Sequence, residues 1–270
     1  MDALERLRTI SGTLSSDPTD HDYLIGALSA QEPDIARMAT EVAAELVAAQ
    51  PGSFAARLLA VLTDRGAASE ARCHAAIAFG PSLEISDMEG FSDVDSRPPL
   101  ERGLFDHIVA TLRDIYNDSQ APESVRRSAL EAAVRAIEPP WLVAAVRGAF
   151  SSEDSEWVET ALFCSRYLET DFTREILSSL DHDAEPVVYA AVFAAVDVRL
   201  PSDALRRVAG LADDPTVNIV VRCSALEALA AQPSKEAEEA MQVFIHSDDE
   251  IIADKAAYLM SWRDGGVEQP

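Results

Sequence analysis

Residues Arg126–Ala132 read RRSALEA, and 96 positions further on Arg222–Ala228 read RCSALEA. A weaker third copy, RCHAAIA, occupies Arg72–Ala78. The three share the pattern Arg-x-x-Ala-[Ala/Leu]-x-Ala. Each arginine follows an aspartate by eight residues: Asp64 before Arg72, Asp118 before Arg126 and Asp214 before Arg222. The 96-residue separation divides into three steps of 32, and the 54 residues from Arg72 to Arg126 make one step plus about 22 more. A period between about 20 and 50 residues marks stacked repeats.

The segments between the motifs carry helical apolar spacing, as in YLIGAL, SFAARLLAVL, LFDHIVATL, WLVAAVRGAF and AEEAMQVFI. Each is followed by a short polar turn rich in Asp, Ser, Asn or Pro. These residues cap helix starts or fit the first helical turn, and acid there complements the helix dipole. The spacing predicts helical hairpins at 20–49, 52–80, 104–137, 140–169, 171–199, 202–231 and 234–262. A leading helix near 2–15, within a capping segment 1–19, precedes an array over 20–270. One hairpin cannot bury its apolar stripe alone, so neighbouring hairpins must stack.

Turn aspartate, second-helix arginine and an Ala-Leu-x-Ala helix together resemble the HEAT-repeat pattern over most of 20–262. The resemblance implies an all-α fold, a right-handed α-solenoid of about seven antiparallel helix pairs. It also implies a hydrogen-bonded ladder between repeats, carried by Asp64, Asp118 and Asp214 with Arg72, Arg126 and Arg222. The hairpins beginning near 20, 140 and 171 lack the arginine, and the last has Lys255, so the ladder is expected to be incomplete. A HEAT-like fold names a scaffold, not an activity.

Residues 81–103, PSLEISDMEGFSDVDSRPPLERG, interrupt the period and read as an acidic loop insertion. Its apolar residues are interleaved with acid. It is either an acidic-hydrophobic binding segment or a loop packed back on its own repeats with Phe91 as anchor. Asp93 and Asp95 have a D-x-D spacing, but the glycine and glutamate of a calcium loop do not follow.

Composition narrows the function classes. The net charge is −25 over 270 residues, which repels phosphates and disfavours nucleic acid and anionic lipid. Lys235 and Lys255 are the only lysines, a bias that salt adaptation or a GC-rich genome would also produce. Cys73, Cys164 and Cys223 are scattered, so no disulfide framework or zinc ribbon is suggested. The N-terminal stretch lacks the pattern of a signal peptide, and no apolar run is long enough to span a membrane. A cytoplasmic location is the default expectation.

Catalytic signatures are lacking. The five histidines show no metal-ligand spacing, there is no HExxH, and no G-x-S-x-G, P-loop or G-x-G-x-x-G occurs. No cofactor and no metal are expected. His182 and His246 sit in acidic turns, where capping explains them. Two groups with the resembling fold act as enzymes, bilin lyases and alkylpurine DNA glycosylases. The glycosylases hold DNA in a basic groove, which this acidic chain does not offer.

The reading is therefore a non-enzymatic, monomeric scaffold or adaptor for a basic protein partner. Second-helix positions off the Ala/Leu stripe, expected to line the concave face, are the candidate contacts: Glu131, Arg135, Glu159, Arg166 and Glu227, with Phe91 in the loop and Trp157, which is either an exposed aromatic anchor or a core residue. The acids of the turns form a second candidate surface, an edge that steers a cation. An acidic inhibitor of a cationic enzyme is the alternative, and a HEAT-like lyase a further one.

Overall fold

A computed structural model describes residues 2–92, 95–136 and 140–263. The regular secondary structure of the described residues is all helical, with no strand among them. The chain divides into two compact units, 1–145 and 146–270. The first holds α1 (Ala3–Thr13), α2 (Pro18–Ala27), α3 (Pro33–Ala49), α4 (Phe54–Thr63), α5 (Ser69–Glu89), α6 (Arg102–Asn117) and α7 (Glu123–Ala133). The boundary falls in α8 (Pro140–Phe150). The second unit continues with α9 (Ser155–Ser165), α10 (Thr173–Ser179), α11 (Glu185–Ala194), α12 (Ser202–Asp213), α13 (Ile219–Ala230), α14 (Lys235–Phe244) and α15 (Glu250–Arg263).

The helices start where local chemistry dictates. Asp17 caps α2 by accepting the Thr19 N–H at 2.8 Å, with Pro18 following in the first turn. Asp154 accepts from Glu156 and Asn218 from Val220, each at 2.9 Å. These caps satisfy backbone donors that have no partner inside the helix.

Odd-numbered helices pack side by side: α3 on α5 and α5 on α7 in the first unit, α9 on α11, α11 on α13 and α13 on α15 in the second. The alanines of the repeated motif explain why. Ala75 and Ala76, Ala129 and Ala132, and Ala225 and Ala228 are all buried, and their small side chains let neighbouring helices approach closely. Leu130 and Leu226, the leucines of the same motif, are fully buried beside them. The larger core residues come from both members of each hairpin, as with Phe54, Leu58 and Phe79 in the first unit and Val208, Leu226 and Met241 in the second.

The expected loop at 81–103 is corrected over its first nine residues. Helix α5 runs through Pro81 to Glu89 and stops at Gly90, whose φ of +70° favours glycine. Proline removes one backbone donor from the helix interior, a cost of about 3 kcal/mol. Burial of Phe79 and Leu83 on either side of Pro81 offsets it. Beyond Gly90 the chain folds back: the Leu100 N–H donates to the buried Ser86 hydroxyl at 3.1 Å. Phe91 packs edge-on against Phe105, with ring centroids 5.1 Å apart. Asp93 and Val94 lie outside the described residues.

Candidate protein-interaction surface

The repeated aspartates and arginines solve one problem three times. The last carbonyls of a helix lack intrahelical partners. Arg72 donates from Nε to the Leu62 carbonyl at 3.0 Å, Arg126 to that of Tyr116 at 2.9 Å and Arg222 to that of Ala212 at 3.0 Å. Two residues further on, Asp64, Asp118 and Asp214 end the preceding helices and turn the chain. Their carboxylates accept the backbone N–H of Gly66, Gln120 and Thr216 at 2.8, 2.9 and 2.8 Å.

Links to the next hairpin differ between copies. Arg222 also donates to Asp249, the cap of α15, at 2.7 Å. Asp118, by contrast, receives the exposed Arg65 of the preceding hairpin at 2.6 Å. Arg72 is spent on its own hairpin, and Arg65 at the turn is nearer the surface. Hydrogen bonds from Thr216, aided by the Arg222 charge, hold the Asp214 carboxyl below the usual range. The bond from Arg222 does the same for Asp249. Both stay ionised under ordinary conditions.

Aligning the odd-numbered helices of the second unit on their caps reveals an outward row. The caps are Asp154, Ala184, Asn218 and Asp249. Nine residues on stand Phe163, Phe193, Glu227 and Tyr258; five residues on stand Glu159, Tyr189, Cys223 and Asp254. None of the eight is buried. Tyr189 is 39% exposed, Phe193 40% and Tyr258 53%, high values for aromatic side chains. Aromatic contacts recur at four-residue spacing: Phe163 with Tyr167 just past the end of α9, Tyr189 with Phe193, and Tyr258 with Trp262, at centroid distances of 5.2, 6.4 and 5.4 Å, the second pair stacked and the other two tilted. At Glu227 the aromatic row is interrupted, and Lys255 of α15 donates to its carboxylate.

The candidate contacts named from sequence fall into three groups. Glu159 and Glu227 belong to the outward row, and Arg166 lies at its edge. The Arg166 guanidinium sits 4.1 Å from the centroid of the Phe193 ring while Nε donates to Asp197. Glu131 and Arg135 are half-buried on or just after α7 in the first unit, and Arg135 donates to Glu84 of α5 at 3.0 Å. A side chain at Gly80 would put its Cβ 2.7 Å from Arg135 Cδ, so glycine there makes room for that pair. Trp157 is a correction: it is 9% exposed, facing the core from the third position of α9, and cannot anchor a partner. Phe91 is half-buried and engaged by Phe105 and by Arg102, 5.2 Å from its ring centroid.

Tyr189, Phe193 and Tyr258 were not singled out from the sequence. A signal was present: aromatic pairs four residues apart recur at three places, on α11, on α15 and across the end of α9. Cys73 and Cys223 share the position five residues after their caps. Burial pushes the Cys223 thiol up, away from the thiolate form. His182 accepts the Ala184 N–H in its turn at 3.0 Å, and His74 bonds the Leu28 carbonyl at 2.7 Å. Among the described residues no group of three His, Cys, Asp or Glu side chains is placed to hold a metal ion. None of the described helices is long and apolar enough to cross a membrane.

Solved structures share this architecture. YibA of E. coli matches over 96% of this chain and 97% of its own, with a TM-score of 0.54 at 15% sequence identity. Kap95p, in a structure of its binding to RanGDP, matches over 99% of this chain and 38% of its own, with a TM-score of 0.50 at 15% identity. Human deoxyhypusine hydroxylase, solved with glycerol, matches over 96% of this chain and 88% of its own, at 16% identity and a TM-score of 0.40. No protein-family model and no curated protein matches the chain. At these identities the likeness is one of fold: the protein is an all-helical repeat protein of the α-solenoid class.

Proposed function

We propose that this protein is a HEAT-like, non-enzymatic scaffold that binds a basic protein partner as a monomer, through the outward face of α9, α11, α13 and α15. The observation that carries the reading is the row of outward aromatic side chains at one register position, with Phe193 and Tyr258 solvent-exposed. Large exposed aromatic groups are costly to leave in water and are enriched at interface centres. Three helices repeating them at one height describe a surface, not scattered exceptions. The acidic balance of the chain, −25, attracts a cationic partner and speeds encounter. The Asp214 turn, with Arg222, belongs to the frame that presents the surface, and Asp64, Asp118, Arg72 and Arg126 do the same structural work within the first unit. The likeness to Kap95p, seen with RanGDP, is in keeping with protein binding by this fold.

The test is affinity capture from the source lysate with the native chain and with a Tyr189→Arg/Tyr258→Arg double variant. The expected result is a basic protein retained at low salt, released at high salt and lost from the variant. Equal recovery by both chains would show that the partner binds elsewhere.

A further inference from the structure

The chain holds its own arginines in a recurring kind of seat, made of one aromatic ring and one carboxylate. The Arg6 guanidinium lies 4.0 Å from the Tyr23 ring centroid and donates to Asp20 at 3.2 Å. Arg166 lies over Phe193 and donates to Asp197. Arg102 lies over Phe91 and donates to Asp106 at 2.9 Å. Each seat uses the negative face of the ring and the charge of the acid together, an arrangement that suits a planar guanidinium.

Two more pairs have the same composition on the outward face of the second unit. Glu185 stands four residues before Tyr189 on α11, and Asp254 four residues before Tyr258 on α15. Residues four apart share one face of a helix. All four side chains are exposed. Among the described residues, neither acid has an ion-pair partner, and no arginine or lysine lies over either ring.

We propose that these two pairs are seats for arginine side chains of an extended segment of the partner, crossing α11, α13 and α15. The inference rests on the scaffold reading of the same face and specifies its ligand. Geometry sets the spacing of the two arginines. Neighbouring helices pack about 8–10 Å apart, so α11 and α15 are separated by roughly 20 Å. An extended chain covers that distance in about six residues. Between the seats lies α13, with Ile219 and Val220 exposed at its start. The segment that fits carries two arginines six positions apart with an aliphatic residue between them. Lysine fits less well, because its ammonium does not stack flat on a ring while donating sideways to a carboxylate.

The probe is a fluorescein-labelled peptide of this pattern, titrated against the full chain by fluorescence anisotropy. Companion peptides replace both arginines by citrulline, the neutral isostere, or shorten the spacing to three. Chain variants are Tyr189→Leu with Tyr258→Leu, which keep apolar bulk without the aromatic face, and Glu185→Gln with Asp254→Asn. All four positions are exposed, and circular dichroism verifies the fold. We expect citrulline to weaken binding at least tenfold, each double variant about tenfold, and the short spacing to a similar degree. Equal affinity for arginine and citrulline peptides overturns the seats. So does unchanged affinity in the leucine variants. If no peptide binds while the Tyr189→Arg/Tyr258→Arg variant still loses a captured protein, the seats fall and the scaffold reading stands. If the captured protein is also unaffected, both fall.

Discussion

Replacing Arg222 by methionine tests the account of the repeated motif most directly. The arginine is 7% exposed and its Nε holds the carbonyl of fully buried Ala212 at 3.0 Å. A hydrogen bond from a charged donor contributes about 1.5–3 kcal/mol, and a buried carbonyl left unpaired costs about 1–3 kcal/mol. These describe overlapping parts of one loss, and methionine retains most of the packing of the arginine stem. The expected destabilisation is about 3 kcal/mol, before any contribution from Asp249. For a unit the size of residues 146–270 this corresponds to a fall in Tm of roughly 10 °C.

Arg65→Met is the matched control. Arg65 also bridges to an aspartate, Asp118, but its side chain is 72% exposed, so the change costs under about 1 kcal/mol. Because the chain divides into two compact units, thermal unfolding is best paired with hydrogen exchange read on peptides covering 202–231. Amides at the α12–α13 turn should lose protection in Arg222→Met, and less so in Arg222→Lys, which keeps charge and one bond but not the fork. Equal shifts for Arg222→Met and Arg65→Met would refute the argument that burial, and not the ion pair, gives the motif its value.

Other expectations follow from single contacts. The Asp249 carboxyl is held below its usual value by Arg222, so its contribution is complete above about pH 4 and is lost as pH falls through the depressed folded value. The Tm gap between the native chain and Asp249→Asn should therefore shrink as melts are taken from pH 7 to pH 2, and a gap independent of pH would contradict it. Trp157→Ala should cost about 3–5 kcal/mol in urea unfolding, whereas Tyr258→Ala, at an exposed position, should cost under about 0.5 kcal/mol. The Ser82 hydroxyl is buried and, among the described residues, has no hydrogen-bond partner. Ser82→Ala should raise stability by about 1 kcal/mol, measured the same way, and a clear loss would mean that the hydroxyl is satisfied.

Much of this protein can be read along the chain. Apolar spacing, polar turns and caps such as Asp17, Asp154 and Asn218 act within a few residues of themselves, so they place helices without tertiary knowledge. The Arg-x-x-Ala-Leu-x-Ala motif announces stacked repeats because close helix packing needs small residues at fixed intervals. Pro81 misled for the same reason: taken locally it ends a helix, and the burial of Phe79 and Leu83 that carries α5 past it comes from neighbouring helices. Tertiary structure alone decided which side chains face outward. Trp157 and Phe163 lie six residues apart on α9; the first points into the core and the second belongs to the outward row, a choice set by where α11 packs. Glu185, Tyr189, Asp254 and Tyr258 are unremarkable in sequence. They become candidate seats because helix phase leaves them in solvent, whereas Phe193 already has its arginine. Periodicity determines that a helix has a buried side; only the neighbours determine which residues are left on the other.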